Sequence, residues 1–223
     1  MDSVLRIGVI GLGARGSDLV PHAILPIKEA QITAVCDVYD DRAQAAADLI
    51  WKTRHQMPAV YNDYRKLLCD PQVDAVVISA SWEAHVPIAL AAMRAGKITA
   101  SEVGGAATLE ECWELVHTYE ETGTPIMFLE NCCYGREELM VLNMVRQGIL
   151  GDIVHCEGGY RHDLRNEVSF GRENRHYRLN HYLHRNCENY PTHELGPIAK
   201  ILDINHGNRM LTLTSVASSA KGL

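Results

Sequence analysis

Nowhere along the 223 residues does an apolar run approach the roughly 18 that a membrane-spanning helix needs, so no membrane partner is expected. A basic excess is missing as well. The formal charge of −7 argues against nucleic acid or an anionic membrane as partner, since either would need a basic face. The seven cysteines are an odd number without disulfide-like spacing, and Cys132 and Cys133 are neighbours rather than a C-x-x-C pair. They read as reduced thiols of a cytoplasmic protein. No secretion signal is visible, because "MDSVLRIGVIGLG" reaches a strand-like stretch almost at once. Repeats and low-complexity tracts are absent. What remains, 47% hydrophobic and 22% charged, suits a folded soluble chain holding one large domain, or one domain and part of another.

Short apolar runs alternate with helical stretches over the first 150 residues. "RIGVIG" (6–11), "ITAVCD" (32–37), "DAVVISA" (74–80), "KITASE" (97–102) and "PIMFLE" (125–130) read as strands. Helices are expected over roughly 14–25, 40–54, 84–95 and 108–122, with a capping box at Thr108 and Glu111 and stops at Gly96 and Gly123. This alternation predicts an α/β fold, a doubly wound parallel sheet covered on both faces. The character changes near residue 131, which predicts one domain over 1–131 and the start of another over 132–223. There a helix over about 135–147 precedes two strand-like stretches, "GDIVHCEGGYRHDL" and "RMLTLTSVASSAKGL". The second stretch stops abruptly, so the second domain reads as incomplete.

Gly11, Gly13 and Gly16 form G-x-G-x-x-G between the first strand and its helix. The pattern alone is weak, but in this context it points to a dinucleotide. The first glycine permits a tight turn, the second lets a pyrophosphate approach, and the third lets helix and strand pack closely. Leu12, Ala14 and Arg15 complete the loop, whose helix start offers free N–H groups to phosphates. Asp37, about twenty residues beyond Gly16, ends the second strand. A carboxylate there accepts bonds from ribose hydroxyls and repels a 2′-phosphate, so the expected cofactor is NAD rather than NADP. Ser79, Trp82, His85, Glu102 and Asn131 fall at strand ends, where open α/β sheets bind ligands, and are assigned to the cofactor crevice. Trp82 has simple packing as its alternative.

The stretch "CENYPTHELGPIAK" (187–200) places His193 and Glu194 side by side, like the start of a zinc-protease helix. H-E-x-x-H would need histidine at 197, where this chain has Pro197, so no metal is expected from this motif. Pro197 also suits a first helical turn, which would put His193 just ahead of the helix. His155, His162, His176, His181 and His184 are scattered without ligand spacing. An imidazole can accept and return a proton near neutral pH, although a histidine at a helix start is more often a cap or a buried hydrogen-bonder.

From the glycine loop through "SASWEAHVPIALAAMRAGKITASE" the chain resembles the Gfo/Idh/MocA oxidoreductases. The resemblance implies an N-terminal Rossmann domain and a C-terminal α+β substrate domain with an open, mostly antiparallel sheet. Members usually carry Glu-Lys-Pro where this chain has "SEVGGAAT": Glu102 is kept, but Val103 stands for the proton-carrying lysine and Gly104 for the proline. The stretches "EVGGAAT", "ETGTPIMFLENCCYGREELMVLNMVRQG", "GGYRHDLR" and "HRNCENYPTHELGP" resemble one branch most, glycoside hydrolase family 109, the NAD-dependent α-N-acetylgalactosaminidases. "CCYGREEL" departs from that branch's Arg-Arg-Asp type of run, and the segment after Arg165 is shorter.

This branch implies glycoside cleavage by transient oxidation at C3 of the sugar, proton removal at C2, elimination at C1, water addition and re-reduction. On the resemblance, His193 manages the C3 hydroxyl proton and Tyr160 takes the C2 proton. Tyr160 would need nearby positive charge, from Arg161, Arg165 or the nicotinamide ring. Glu130, Arg178 and Tyr190 would hold the sugar hydroxyls and acetamido group. The implied partner is a small-molecule glycoside or sugar, with homo-oligomers forming through the C-terminal sheet. Two other readings stay open: an NAD-dependent sugar or cyclitol dehydrogenase with His193 as base, and a non-catalytic NAD-binding protein.

Overall fold

β1 (Leu5–Ile10) alternates so that Ile7 and Val9 face one core and Ile10 the other, as a strand buried on both sides must. The computed structural model describes residues 4–220 and divides into two compact units, one through Leu129 and one from Glu130. In the first unit β1 is joined by β2 (Ala30–Cys36), β3 (Ala59–Tyr61), β4 (Ala75–Ile78), β5 (Ile98–Ser101) and β6 (Ile126–Phe128). All pair in parallel in the order β3-β2-β1-β4-β5-β6. The chain reverses direction across the sheet between β1 and β4, which is where a ligand crevice forms in such sheets.

Register slips by one residue between Ile7 and Gly8, where β2 carries Thr33 as an extra residue. That slip lets Ile32 and Val35, three apart, share one core with Ile7 and Val9, while Ala34 and Cys36 join the other. The first core is closed by α1 (Ala14–Leu19) with its continuation and by α2 (Asp40–Arg54); the second by α3 (Tyr64–Leu68) and α4 (Trp82–Arg94).

The helix expected over 14–25 changes pitch at Val20–Ile24, a π segment containing Pro21. Proline has no N–H for the preceding turn, and the ladder widens so that the Leu25 N–H reaches the Val20 carbonyl at 3.0 Å. α5 (Leu109–Thr122) starts with the expected capping box and stops at Gly123, whose φ is 65°. β3 and α3 have no expectation above, because elements of three and five residues are too short to register a period.

The second unit is helical: a short turn at Asn131–Cys133, then α6 (Arg136–Arg146), α7 (Arg165–Ser169), α8 (Arg178–His184) and α9 (Pro191–Ile201). The strand-like stretches at 151–164 and 209–220 form no strand. A strand needs a neighbour to complete its backbone hydrogen bonds, and the described residues of this unit offer only one isolated bridge, Ile204 with Asn208. Residues 221–223 of the second stretch lie outside the described residues. No helix among the described residues is long and apolar enough to cross a membrane.

Candidate active site

The three glycines of the loop do different things. Gly11 has φ +91°, and a Cβ added there would sit 2.4 Å from the Ala80 nitrogen. At Gly16 the added carbon would lie 2.0 Å from the Gly11 carbonyl oxygen, so close packing of α1 on the turn requires glycine. Gly13 is open: the nearest atom is an Arg42 guanidinium nitrogen at 3.7 Å. The protein itself fills the space beside the first and third glycines and leaves a cradle beside the second, which fits a pyrophosphate drawn close to the backbone. Ala14 and Arg15 are exposed at the start of α1.

Asp37, buried beyond the end of β2, accepts the Leu12 N–H at 2.6 Å and the Tyr39 N–H at 2.9 Å. It thereby ties the glycine loop to the next strand. A carboxylate has about four acceptor positions, so the pair of backbone bonds leaves room for ribose hydroxyls. These residues fit NAD.

The rest of the crevice set is tied together from within. Ser79, after β4, donates its hydroxyl to the Gly11 carbonyl at 2.7 Å. Glu102, after β5, is buried and takes the Arg15 Nε and Nη2 groups on one oxygen, each at 2.8 Å. Its other oxygen accepts the Val103 N–H at 3.2 Å. His85 is buried with Nε2 3.0 Å from the Ala80 carbonyl, so its proton sits there; burial holds its pKa below the ordinary histidine value. The departure from Glu-Lys-Pro has a packing basis. Val103 is buried, and Gly104 has φ +111° with the Trp82 indole where a Cβ would be, 1.9 Å away. Glycine is what lets that turn pass under the ring.

In the second unit the residues named by resemblance come together. Glu130 caps the Asn131–Cys133 turn by accepting the Cys132 N–H at 3.0 Å. α9 begins at Pro191, not at Pro197, so His193 lies within its first turn; this corrects the expectation that His193 precedes the helix. The proline that opens the helix is the earlier one, and Pro197 sits inside it, with no N–H to give the His193 carbonyl. One turn beyond His193 is Gly196. A Cβ there would meet Cys133 Sγ at 2.8 Å and Glu130 Cγ at 3.2 Å, so α9 can lie against the turn because residue 196 is glycine. That approach puts His193 Nδ1 2.7 Å from Glu130 Oε1.

Aromatic rings enclose the pair. Tyr190 stacks on His193 at 4.8 Å with an interplanar angle of 1°, and Tyr160 stands edge-on to it at 4.6 Å. Arg178, at the start of α8, donates to the Tyr190 hydroxyl and pairs with Glu167 at 2.7 Å. Burial raises the Glu130 carboxyl, but the Thr192 hydroxyl, His193 and the Cys132 N–H outweigh it and hold the pKa below the usual carboxylate value. Burial pushes the Tyr190 phenol up, so it stays protonated and can donate to a ligand. Nδ1 of His193 faces Glu130, which leaves Nε2 as the ring nitrogen outside that pair.

Some contacts had no sequence signal. Arg165, expected to lend charge to Tyr160, forms a two-bond pair with Asp163 at 2.8 and 2.6 Å. The Tyr160 hydroxyl instead lies 3.1 Å from His162 Nδ1. Glu167 as the Arg178 partner and Cys132 beside Glu130 and His193 were also unmarked; no spacing rule links segments that meet only on folding. Asn131 belongs to the second unit, where its amide reaches Cys132 Sγ at 3.8 Å.

Comparison with known proteins adds the following. The family model described as oxidoreductase family, NAD-binding Rossmann fold, matches residues 5–129, and that for the glycosyl hydrolase 109 C-terminal domain matches 134–223. A glycosyl hydrolase family 109 protein of Solibacter usitatus is 41% identical over all of this chain and 52% of its own length. An alpha-N-acetylgalactosaminidase of Shewanella oneidensis is 42% identical over 98% of this chain and 49% of its own. The chain thus spans about half the length of the curated relatives it matches. Among solved structures, a probable dehydrogenase from Thermotoga maritima shares 26% identity and a TM-score of 0.61, covering 66% of this chain and 42% of that one.

Proposed function

This chain belongs to the Gfo/Idh/MocA oxidoreductases with the NAD-binding Rossmann fold, and from that premise we propose that it provides the cofactor and acid–base groups of an NAD-dependent glycosidase. Its substrate is a terminal α-N-acetylgalactosamine or a related hexoside. The observation that carries this reading is the gathering of Glu130, Tyr160, Arg178, Tyr190 and His193, drawn from 64 positions of sequence, around one His–Glu pair. The names of the relatives support the choice of sugar.

When bound at the glycine loop, NAD supplies a reversible oxidation at C3 of the sugar. His193 takes the C3 hydroxyl proton on Nε2 and returns it on re-reduction, while Glu130 holds the ring and balances its charge. The C3 ketone acidifies the C2 proton, which Tyr160 removes, and the C1 substituent leaves. Water then adds at C1. Arg178 and Tyr190 hold sugar hydroxyls and the acetamido group. Nothing is oxidised overall, unlike the direct displacement of two-carboxylate glycosidases. The first unit serves as the cofactor domain and the second, from Glu130, as the substrate domain, a boundary two residues before the expected 131. The described residues of the second unit form no sheet, so the homo-oligomers expected through one are not carried into the reading; a cytoplasmic location is, supported by cysteines that are all free among the described residues.

The test is hydrolysis of nitrophenyl α-N-acetylgalactosaminide in heavy water, with deuterium expected at C2 of the released sugar. Cleavage with only protium at C2 rules out the elimination route. NADH formed from free sugar, with the glycoside left intact, replaces the reading with a dehydrogenase; NAD retained without any turnover leaves a binding protein.

A further inference from the structure

Glu130, Cys132 and His193 bring a carboxylate oxygen, a sulfur and a ring nitrogen within 4.8 Å of one another, and no role described above uses the sulfur. We infer that these side chains form a binding site for a zinc-class divalent cation, and that filling it silences His193. The silencing rests on the role proposed for His193; the binding does not.

The geometry needs little adjustment. Tetrahedral zinc, with bonds of about 2.0–2.3 Å, holds neighbouring donors about 3.3–3.8 Å apart. The widest separation here would close by about 1 Å to reach that range. The contact between His193 Nδ1 and Glu130 Oε1, now 2.7 Å, would open by less than about 1 Å. Glu130 adds an independent indication: it is buried, and its Oε2 makes no hydrogen bond of normal geometry. A buried acceptor left in that state is costly, and a cation gripped by both Glu130 oxygens satisfies it.

Cys132 is a free thiol, only part-buried, which the Asn131 amide approaches at 3.8 Å and which hydrogen-bonds the Glu130 carboxylate. Thiolate, imidazole and carboxylate together favour zinc over magnesium or calcium, which prefer oxygen alone. On binding, the Cys132 proton leaves to solvent and sulfur bonds the cation. The fourth position stays open to water or a sugar hydroxyl, as in zinc sites with only three protein ligands. The cation takes Nδ1 and the ring proton moves to Nε2, so the atom assigned to accept the C3 hydroxyl proton has no free lone pair and the filled site holds the base out of use.

Cobalt(II), a coloured stand-in for zinc, tests the binding on the full chain freed of metal. One equivalent should produce a thiolate-to-cobalt charge-transfer band that zinc displaces. Cys132→Ser should abolish the band and Cys133→Ser should keep it. Glu130→Gln should weaken binding by more than the roughly 10–100-fold that loss of an outer-shell partner costs. Zinc should also inhibit glycoside cleavage reversibly, with chelator restoring it, and Cys132→Ser should stay active and resist zinc. Absence of the band in the unmodified chain, or its survival in Cys132→Ser, overturns the site; a bound cation that leaves cleavage unaffected overturns the silencing. A preparation without glycosidase activity counts against the proposed function, and the cobalt band still decides the binding.

Discussion

Gly13 and Gly11 stand two positions apart in the same motif, yet their surroundings predict opposite failures. A side chain at Gly13 would project into open space, so Gly13→Val should fold normally and lose NAD. Blocking one phosphate contact removes a charge-assisted hydrogen bond of about 1.5–3 kcal/mol, or about 10–150-fold in affinity by calorimetry. Gly11→Ala meets backbone at 2.4 Å and sits at φ +91°, so it should fail as a fold. The strained φ alone costs about 1–3 kcal/mol, visible as a lower melting temperature. Equal melting losses in both variants would remove the argument for an open cradle. The motif was legible in the sequence because its requirement is local: three backbone positions within six residues.

α9 offers the corresponding contrast for a helix. Its existence could be read from an apolar stretch behind a polar start, but its first residue could not. Either Pro191 or Pro197 can open a helix, and the choice fell to Pro191 when the segment packed against the 130–133 turn. Gly196 is the contact that allows this approach. Gly196→Ala should cost about 1–3 kcal/mol by overpacking against Cys133 and should lower activity by pushing His193 away from Glu130. Adding Cys133→Ala removes the obstructing sulfur and should recover part of both losses in denaturant melts and glycoside assays. A similar limit explains β3 and α3: short elements are held by their neighbours in the sheet rather than by their own periodicity.

Across the molecule, buried titrating groups set a common direction for stability with pH. Burial depresses the pKa of His85 in the folded first unit. Below about 6.5 the unfolded chain binds a proton there that the folded chain refuses, so stability falls as pH drops from that value toward the folded pKa. Glu130 in the second unit also has a lowered pKa, and its contribution is present above the usual carboxylate value and lost as pH falls through the folded one. Urea midpoints should therefore fall between about pH 7 and about pH 5.5 through His85, with Glu130 adding its share only at lower pH. His85→Gln should flatten the upper part of that slope; an unchanged slope would mean that folding leaves the His85 pKa where it is in the unfolded chain.

The order of residues was enough to establish the glycine loop, the acidic end of β2, most strands and helices, and the identities of the chemical groups. Each depends on neighbours within a few positions, where backbone geometry and side-chain period act. Bringing Glu130 to His193, Cys132 to both, and Glu167 to Arg178 required the fold, because such meetings depend on how helices and turns pack, on a missing side chain at Gly196, and on which proline starts a helix.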